Sequence, residues 1–413
     1  MIYESPHTLL KDGPQLKEAP DRLIGIARST RPGPTLVCFG GIHGNEPAGV
    51  RALESVFEAL GSGTGALARG CFVGIRGNLP ALAERVRYLR EDLNRLWTRP
   101  RIQRILAKEE FAKSTEEKEL TEILGLIARL LRDEHPPFYF VDLHTTSSPT
   151  LPFVTINDAV INRNFSSLFP VPVILGIEEY LEGPLLSYIN ELGYVSLGFE
   201  SGQHEEEEAV ANAADFVWLA LGFAGLLEEG TDPEGPQRPI RLREAALGDH
   251  HFYEVFYRHA LEDASVFRMA RGFRSFQKAP RGTLLAHDRG KPVYMKRKGI
   301  LFMPLYQKQG EEGFFLIRRI PEWALRLSAW LRKFRFQDSL VWLPGVRWEY
   351  PGSDRLLVNL KIARFFSKPL FHLLGYRSKR RDRTHLVLSN RERSARNQDY
   401  RNTPWFRRTD PNP

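Results

Sequence analysis

The sequence predicts an α/β protein: a mixed, mainly parallel sheet flanked by helices, followed by a smaller β-rich C-terminal domain and a basic appendage. Three observations predict it. Short apolar runs alternate with stretches of helical spacing up to about residue 228, which implies crossovers between parallel strands. A polar, Pro/Gly-rich linker at residues 230–236 then breaks the pattern. Beyond it the apolar residues alternate with period two, and after residue 320 the composition turns basic.

Each element has its own signal. Residues 23–27, 35–39, 71–75, 138–143, 173–175 and 195–199 read as strands from their short apolar runs. Residues 47–60 read as a helix with a proline suited to its first turn. Ser114-Thr115-Glu116-Glu117 has the form of a capping box, and Leu120, Ile123, Leu124, Ile127, Leu130 and Leu131 follow at helical spacing. Glu205, Glu206, Glu207 and Glu208 precede an apolar helical stretch, where negative charge favours the helix dipole, so they receive no catalytic role. Residues 251–257, 265–269, 292–295 and 313–317 alternate like strands. The domains expected are 1–235, 236–320 and 321–413. The last holds 20 Lys and Arg against 8 Asp and Glu, a balance of +12, so the rest of the chain carries −4 of the overall +8. In it, residues 325–336 and 356–374 read as basic amphipathic helices, and the part after about 378 as poorly ordered.

Chemistry concentrates at two strand ends. The run 35–39 leads into Gly40-Gly41-Ile42-His43-Gly44-Asn45-Glu46-Pro47, and ligands of open α/β sheets bind just beyond strand C-termini. His43 and Glu46 cannot hold a catalytic metal alone. The run 138–143 ends in His144, and a parallel pairing brings it to the same edge. Either piece alone is better explained as a strand-end residue bonded to backbone. The three together suit a hydrolytic zinc site with a vacant position for water.

Gly41-Ile42-His43-Gly44-Asn45-Glu46, Asn78, Asp92-Leu93-Asn94-Arg95 and Asp142-Leu143-His144 resemble the succinylglutamate desuccinylase/aspartoacylase family in order and spacing. The resemblance covers about residues 20–320, more loosely in its C-terminal part. It implies a zinc-carboxypeptidase-like fold with one Zn2+ per chain on His43, Glu46 and His144. It implies that Glu200, in Gly198-Phe199-Glu200-Ser201-Gly202-Gln203, is the general base, and that Arg87 polarises the scissile carbonyl. Asn78, Asn94, Arg95 and an aromatic at Tyr180 are implied on the substrate side, and the β-rich domain at the active-site entrance. A guanidinium suits both carboxylate gripping and oxyanion stabilisation. One departure matters. Aspartate-cleaving members carry an arginine about ten residues before the catalytic glutamate, and residues 185–192 here contain none. That argues against a dianionic amino-acid substrate.

The expected function is a zinc-dependent hydrolase, a deacylase or amidohydrolase, acting on an N-acyl amino acid or related carboxylate-bearing small molecule. Ester hydrolysis and a metallocarboxypeptidase are the chemical variants. The reading from another class is a binding or scaffold protein working through its basic tail. That tail interleaves aromatics with basic residues and could weakly meet an anionic partner, but no nucleic-acid motif accompanies it. Two cysteines, Cys38 and Cys71, read as buried small hydrophobes. No signal pattern opens the chain and no apolar run reaches the roughly 20 residues needed to span a bilayer, so a cytoplasmic protein is expected.

Overall fold

The structure, a computed structural model, describes residues 20–61, 67–334, 340–350, 355–363, 374–382 and 384–409. The apolar runs form β1 (Leu23–Arg28), β2 (Thr35–Gly40), β3 (Cys71–Arg76), β4 (Phe138–Thr146), β5 (Phe153–Ile156), β6 (Val173–Leu175) and β7 (Val195–Gln203). Strands β3, β2, β4 and β7 lie side by side and parallel. Strands β2 and β4 are buried along their whole length, as continuous apolar runs covered on both faces must be.

Alternate residues of these strands serve opposite cores. Leu36, Cys38, Tyr139 and Val141 face a cluster with the helices Ala48–Gly61 and Glu207–Ala224. Val37, Phe39, Phe138 and Phe140 face a second cluster with the helices Thr115–Asp133 and Leu185–Glu191. The capping box forms as the sequence requires: Ser114 Oγ accepts from Glu117 N–H and the Glu117 carboxylate accepts from Ser114 N–H. Glu207 and Glu208 occupy the first turn of their helix.

The β-rich segment continues the same sheet. It contains β8 (Phe252–Ala260), β9 (Phe267–Met269), β10 (Gln277–Ala279), β11 (Leu284–Asp288), β12 (Lys291–Tyr294), β13 (Gly299–Phe302) and β14 (Glu312–Arg319). Strand β8 pairs in parallel with β6, giving the order β1-β3-β2-β4-β7-β5-β6-β8-β14-β13-β10. Strands β9, β11 and β12 form a separate antiparallel sheet. The short β5, β10, β11 and β13 were not expected from the sequence.

The basic extension is more ordered than its composition suggests. The helix Glu322–Lys333 forms near the place expected, and residues 335–336 of that reading lie outside the described residues. The second expected helix is corrected. Its first part is strand β16, within a four-stranded antiparallel sheet of β15 (Val346–Trp348), β16 (Arg355–Asn359), β17 (Tyr376–Arg380) and β18 (His385–Asn390). Residues 364–373 of that reading lie outside the described residues. A short apolar run such as Leu356-Leu357-Val358 carries no period that separates helix from strand.

The expectation of poor order after residue 378 is also corrected. Strand β18 and the helices Asn397–Tyr400 and Pro404–Thr409 follow. The reason is tertiary. Tyr400 is fully buried, its hydroxyl donating to Phe138 O and accepting from Val195 N–H at 2.9 Å. The Trp405 indole N–H donates to Tyr139 Oη at 3.2 Å. These contacts seal the N-terminal ends of β4 and β7, opposite the ends that carry His144 and Glu200. Arg332, its side chain 1 % exposed, donates to Asp158 and Glu392 at 2.8 and 2.9 Å, and Arg163 donates to the same Asp158.

Two outcomes test this arrangement. Tyr400→Phe strands Val195 N–H in the core and is expected to cost about 1–3 kcal/mol in urea unfolding. Asp158 responds to acid. Burial acts to raise its pKa, but Arg163 and Arg332 more than offset this and hold it well below the usual carboxylate range. The unfolded chain then takes up the proton first. The ion pairs therefore stabilise fully above about pH 4, the unfolded value, and their contribution falls as pH drops toward the folded one. Asp158→Asn is expected to be less stable than wild type at pH 7 and to lose less stability between pH 5 and pH 3. Parallel losses in the two proteins would remove Asp158 as the acid-sensitive group.

Candidate functional site

Two glycines let the loop after β2 turn toward the sheet edge. Gly41 has φ 74°, a left-handed conformation that L side chains disfavour. A Cβ on Gly44 would lie 2.0 Å from the carbonyl carbon of Ala81. The loop thereby presents His43 and Glu46, and the parallel register of β2 with β4 brings His144 beside them. His43, Glu46 and His144 each offer one ligand atom, and these atoms lie within 4.8 Å of one another.

The hydrogen bonds decide which atoms face inward. His43 Nδ1 lies 2.9 Å from Glu46 Oε1, and His144 Nδ1 lies 2.8 Å from Glu46 Oε2. The outer nitrogens face other carboxylates: His43 Nε2 lies 3.0 Å from Asp92 Oδ1, and His144 Nε2 lies 2.7 Å from Asp142 Oδ2. With Nε2–H donated to each aspartate and Nδ1 deprotonated, both Nδ1 lone pairs would be available to a cation shared with the Glu46 carboxylate. Such outer carboxylates fix the tautomer and raise the basicity of ligating imidazoles.

Charge reinforces the arrangement. Burial acts to raise the Glu46 pKa, but His43 and His144 hold its carboxyl well below the usual range. Burial acts to lower the His144 pKa, and Asp142 and Glu46 together hold it well above the usual value. Two imidazoles and one carboxylate, buried and mutually paired, are a donor set that fits a divalent cation.

One cavity collects most of the residues singled out in the sequence. His43, Glu46, Arg87, Asn94, Arg95, His144 and Glu200 all line it. Glu200 sits opposite His144 in the β4–β7 ladder. Its Oε2 is buried without a hydrogen-bond partner. Burial pushes its carboxyl up to about 8; His144 pulls it down, while Glu46 and Asp142 push it further up. Arg87 donates to Asp92 Oδ2 at 3.0 Å and lies 3.5 Å from Glu46 Oε1. Asn94 Oδ1 accepts from Leu185 N–H at 2.8 Å, tying the 93–95 turn to the opposite wall. Arg95 lies 3.2 Å from Glu312 and 4.0 Å from Asp92.

Two residues stand elsewhere. Asn78 is the N-cap of the helix Leu79–Glu84, accepting from Ala81 N–H at 3.3 Å, and does not line the cavity. Its amide is used by the backbone because the first N–H groups of a helix need acceptors. Tyr180 also does not line the cavity; its ring packs edge-on to Phe315, with 6.5 Å between centroids.

Several participants lacked an assigned role in the sequence. Asp142 carries a signal, since i and i+2 of a strand share a face, which sets it beside His144. His204 lines the cavity four residues after Glu200, 2.8 Å from Thr145 Oγ1 and 3.2 Å from Gln307. Gln307 and Glu312 come from the β-rich segment, and no local pattern marks them.

Residues 32–209 match the family model described as the succinylglutamate desuccinylase/aspartoacylase catalytic domain. A succinylglutamate desuccinylase of Photorhabdus laumondii is 44% identical over 63 residues, which cover 15% of this chain and 19% of that protein. The chain thus matches only about a fifth of the length of that curated relative. A succinylglutamate desuccinylase/aspartoacylase structure from Rhodobacter sphaeroides aligns over 70% of this chain and 87% of its own, at 17% identity and a TM-score of 0.49. A succinylglutamate desuccinylase structure from Vibrio cholerae aligns over 70% and 82%, at 18% identity and a TM-score of 0.47. Among the described residues, no helix is long and apolar enough to cross a membrane.

The outer aspartate gives a direct test. Asp142→Asn is expected to weaken the affinity for an added divalent cation by about 10–100-fold in competition with a chelator, by loosening the His144 tautomer. Equal affinity in the two proteins would mean that Asp142 does not orient the ligand.

Proposed function

We propose that the chain is a zinc-dependent deacylase that cleaves the amide bond of an N-acyl amino acid or related carboxylate-bearing small molecule. One observation carries the proposal. Glu200, with a free carboxylate oxygen, lines the same cavity as the His43–Glu46–His144 donor set, inside the stretch that matches the family. His43 Nδ1, a Glu46 oxygen and His144 Nδ1 would hold zinc, which supplies Lewis acidity to a water and to the acyl carbonyl.

The chain's own groups do the rest. Glu200 takes a proton from the attacking water and returns it to the departing amine, so the products are a carboxylate and an amine. Its raised pKa suits that exchange near neutral pH. Arg87 is held by Asp92, and its Nε is buried without a partner; it stabilises charge developing on the carbonyl oxygen. Arg95 already faces Glu312, so a substrate carboxylate that used it would have to compete with that glutamate. The extension's Arg332 pairs with Asp158 of the N-terminal unit, which favours a packed appendage over an exposed binding tail. The free, buried Cys38 and Cys71 accord with a reducing, cytoplasmic setting.

The test combines metal analysis with turnover. Stoichiometric zinc is expected in the wild type and not in His43→Ala or His144→Ala. Glu200→Gln is expected to keep zinc while its rate on a panel of N-acyl amino acids falls by roughly 10²-fold or more. A zinc-loaded Glu200→Gln protein with full turnover would overturn the assignment of the base.

A further inference from the structure

We propose that the C-terminal extension builds a second ligand site beside the catalytic cavity, in which Asn390 and Arg391 bind a carboxylate. It rests on the proposed function only where it asks whether that carboxylate belongs to the substrate.

A second cavity lies between the catalytic unit and the four-stranded sheet. Asn157, Glu178 and Ser187 line both cavities and form their common wall. The lining of the second carries Arg99, Arg355, Arg377 and Arg391 against Glu178 and Glu191. Of these, Arg99 already meets Glu191 at 2.9 Å. Arg377 spends its contacts on the neutral carbonyls of Glu178 and Leu181, which leaves its charge uncompensated by them.

The decisive feature is a set of buried donors without acceptors. Arg391 has a side chain 6 % exposed; one terminal nitrogen meets Glu178 at 2.8 Å and Glu179 at 3.0 Å. Its Nε and its other terminal nitrogen have no partner. The neighbouring Asn390 is 8 % exposed. Its Oδ1 accepts from Glu392 N–H at 2.8 Å, which fixes the amide so that Nδ2 is the free end, and Nδ2 has no partner. Buried donors are rarely left unpaired, because each costs about 1–3 kcal/mol. Adjacent guanidinium and amide donors on one cavity wall suit a carboxylate.

Glu178 refines the class. Its Oε2 is buried and accepts nothing. A ligand with a hydroxyl or ammonium beside its carboxylate satisfies both sets of groups, whereas phosphate dianion would meet the glutamate unfavourably. The carboxylate comes either from the far end of the substrate or from a separate small acid.

L-Lactate is the probe, measured on the zinc-loaded full chain by saturation-transfer NMR, with inorganic phosphate alongside. Lactate is expected to bind in preference to phosphate. Asn390→Asp keeps the contact to Glu392 N–H but replaces the donor with an acceptor, and is expected to weaken lactate by at least about tenfold, the loss of one charge-assisted bond. Arg391→Lys is expected to weaken it as well. No lactate binding to the wild type, tighter binding of phosphate, or equal binding in both variants overturns the site. Turnover of an N-acyl amino acid identifies the source. Lactate inhibition that Asn390→Asp relieves supports the site: a competitive pattern assigns the carboxylate to the substrate, a noncompetitive one to a separate ligand. Binding is read without turnover, so failure here is distinct from failure of the hydrolase reading.

Discussion

The carboxylate of Glu46 shared between two imidazoles is the interaction on which the rest of this structure depends. It is tolerable in the interior because both of its oxygens are met. Two imidazole nitrogens and Thr145 N–H meet the carboxylate, and Asp92 and Asp142 take the far sides of the rings. Removing any one member would leave charge buried without compensation. The parallel ladder of β2, β4 and β7 places all three strand ends at one edge, and the glycines after β2 allow the loop to fold back over it.

The distal half of the chain is built onto this core. Strand β8 extends the main sheet through β6, and β14 delivers Glu312 to the cavity. The extension reaches the same neighbourhood from another side. Arg377 and Arg391 hold the 178–181 turn, whose residues Glu178 and Leu181 line the catalytic cavity. The shape of the cavity therefore depends on residues about 200 positions downstream of that turn.

The sequence made the central strands and the donor set legible because their signals are local. An apolar run ending in Gly-Gly-x-His, and another ending in Asp-x-His, mark a strand and a candidate ligand within a few residues. The capping box at Ser114 is legible for the same reason. Asn78 lies off the cavity and caps a helix, a role that its residue type serves as readily as substrate binding. Tyr180 packs edge-on to Phe315, a contact between distant segments that the sequence does not display. Strand β5, with four residues, is too short to show a period. The order beyond residue 378 was hidden because its arginines acquire carboxylate partners only in the folded chain.

Tyr400 has a consequence for the order of events during synthesis. Its hydroxyl satisfies Val195 N–H and Phe138 O, groups that leave the ribosome 205 and 262 residues earlier. Until residue 400 emerges, the lower rim of β4 and β7 must be served by water, and the aromatic face around Tyr139 stays uncovered. The edge that carries His43, Glu46 and His144 is thus assembled from early-translated segments, while the opposite edge is closed by a late one. A nascent chain halted short of that point carries His43, Glu46 and His144 on a sheet whose other end is still open.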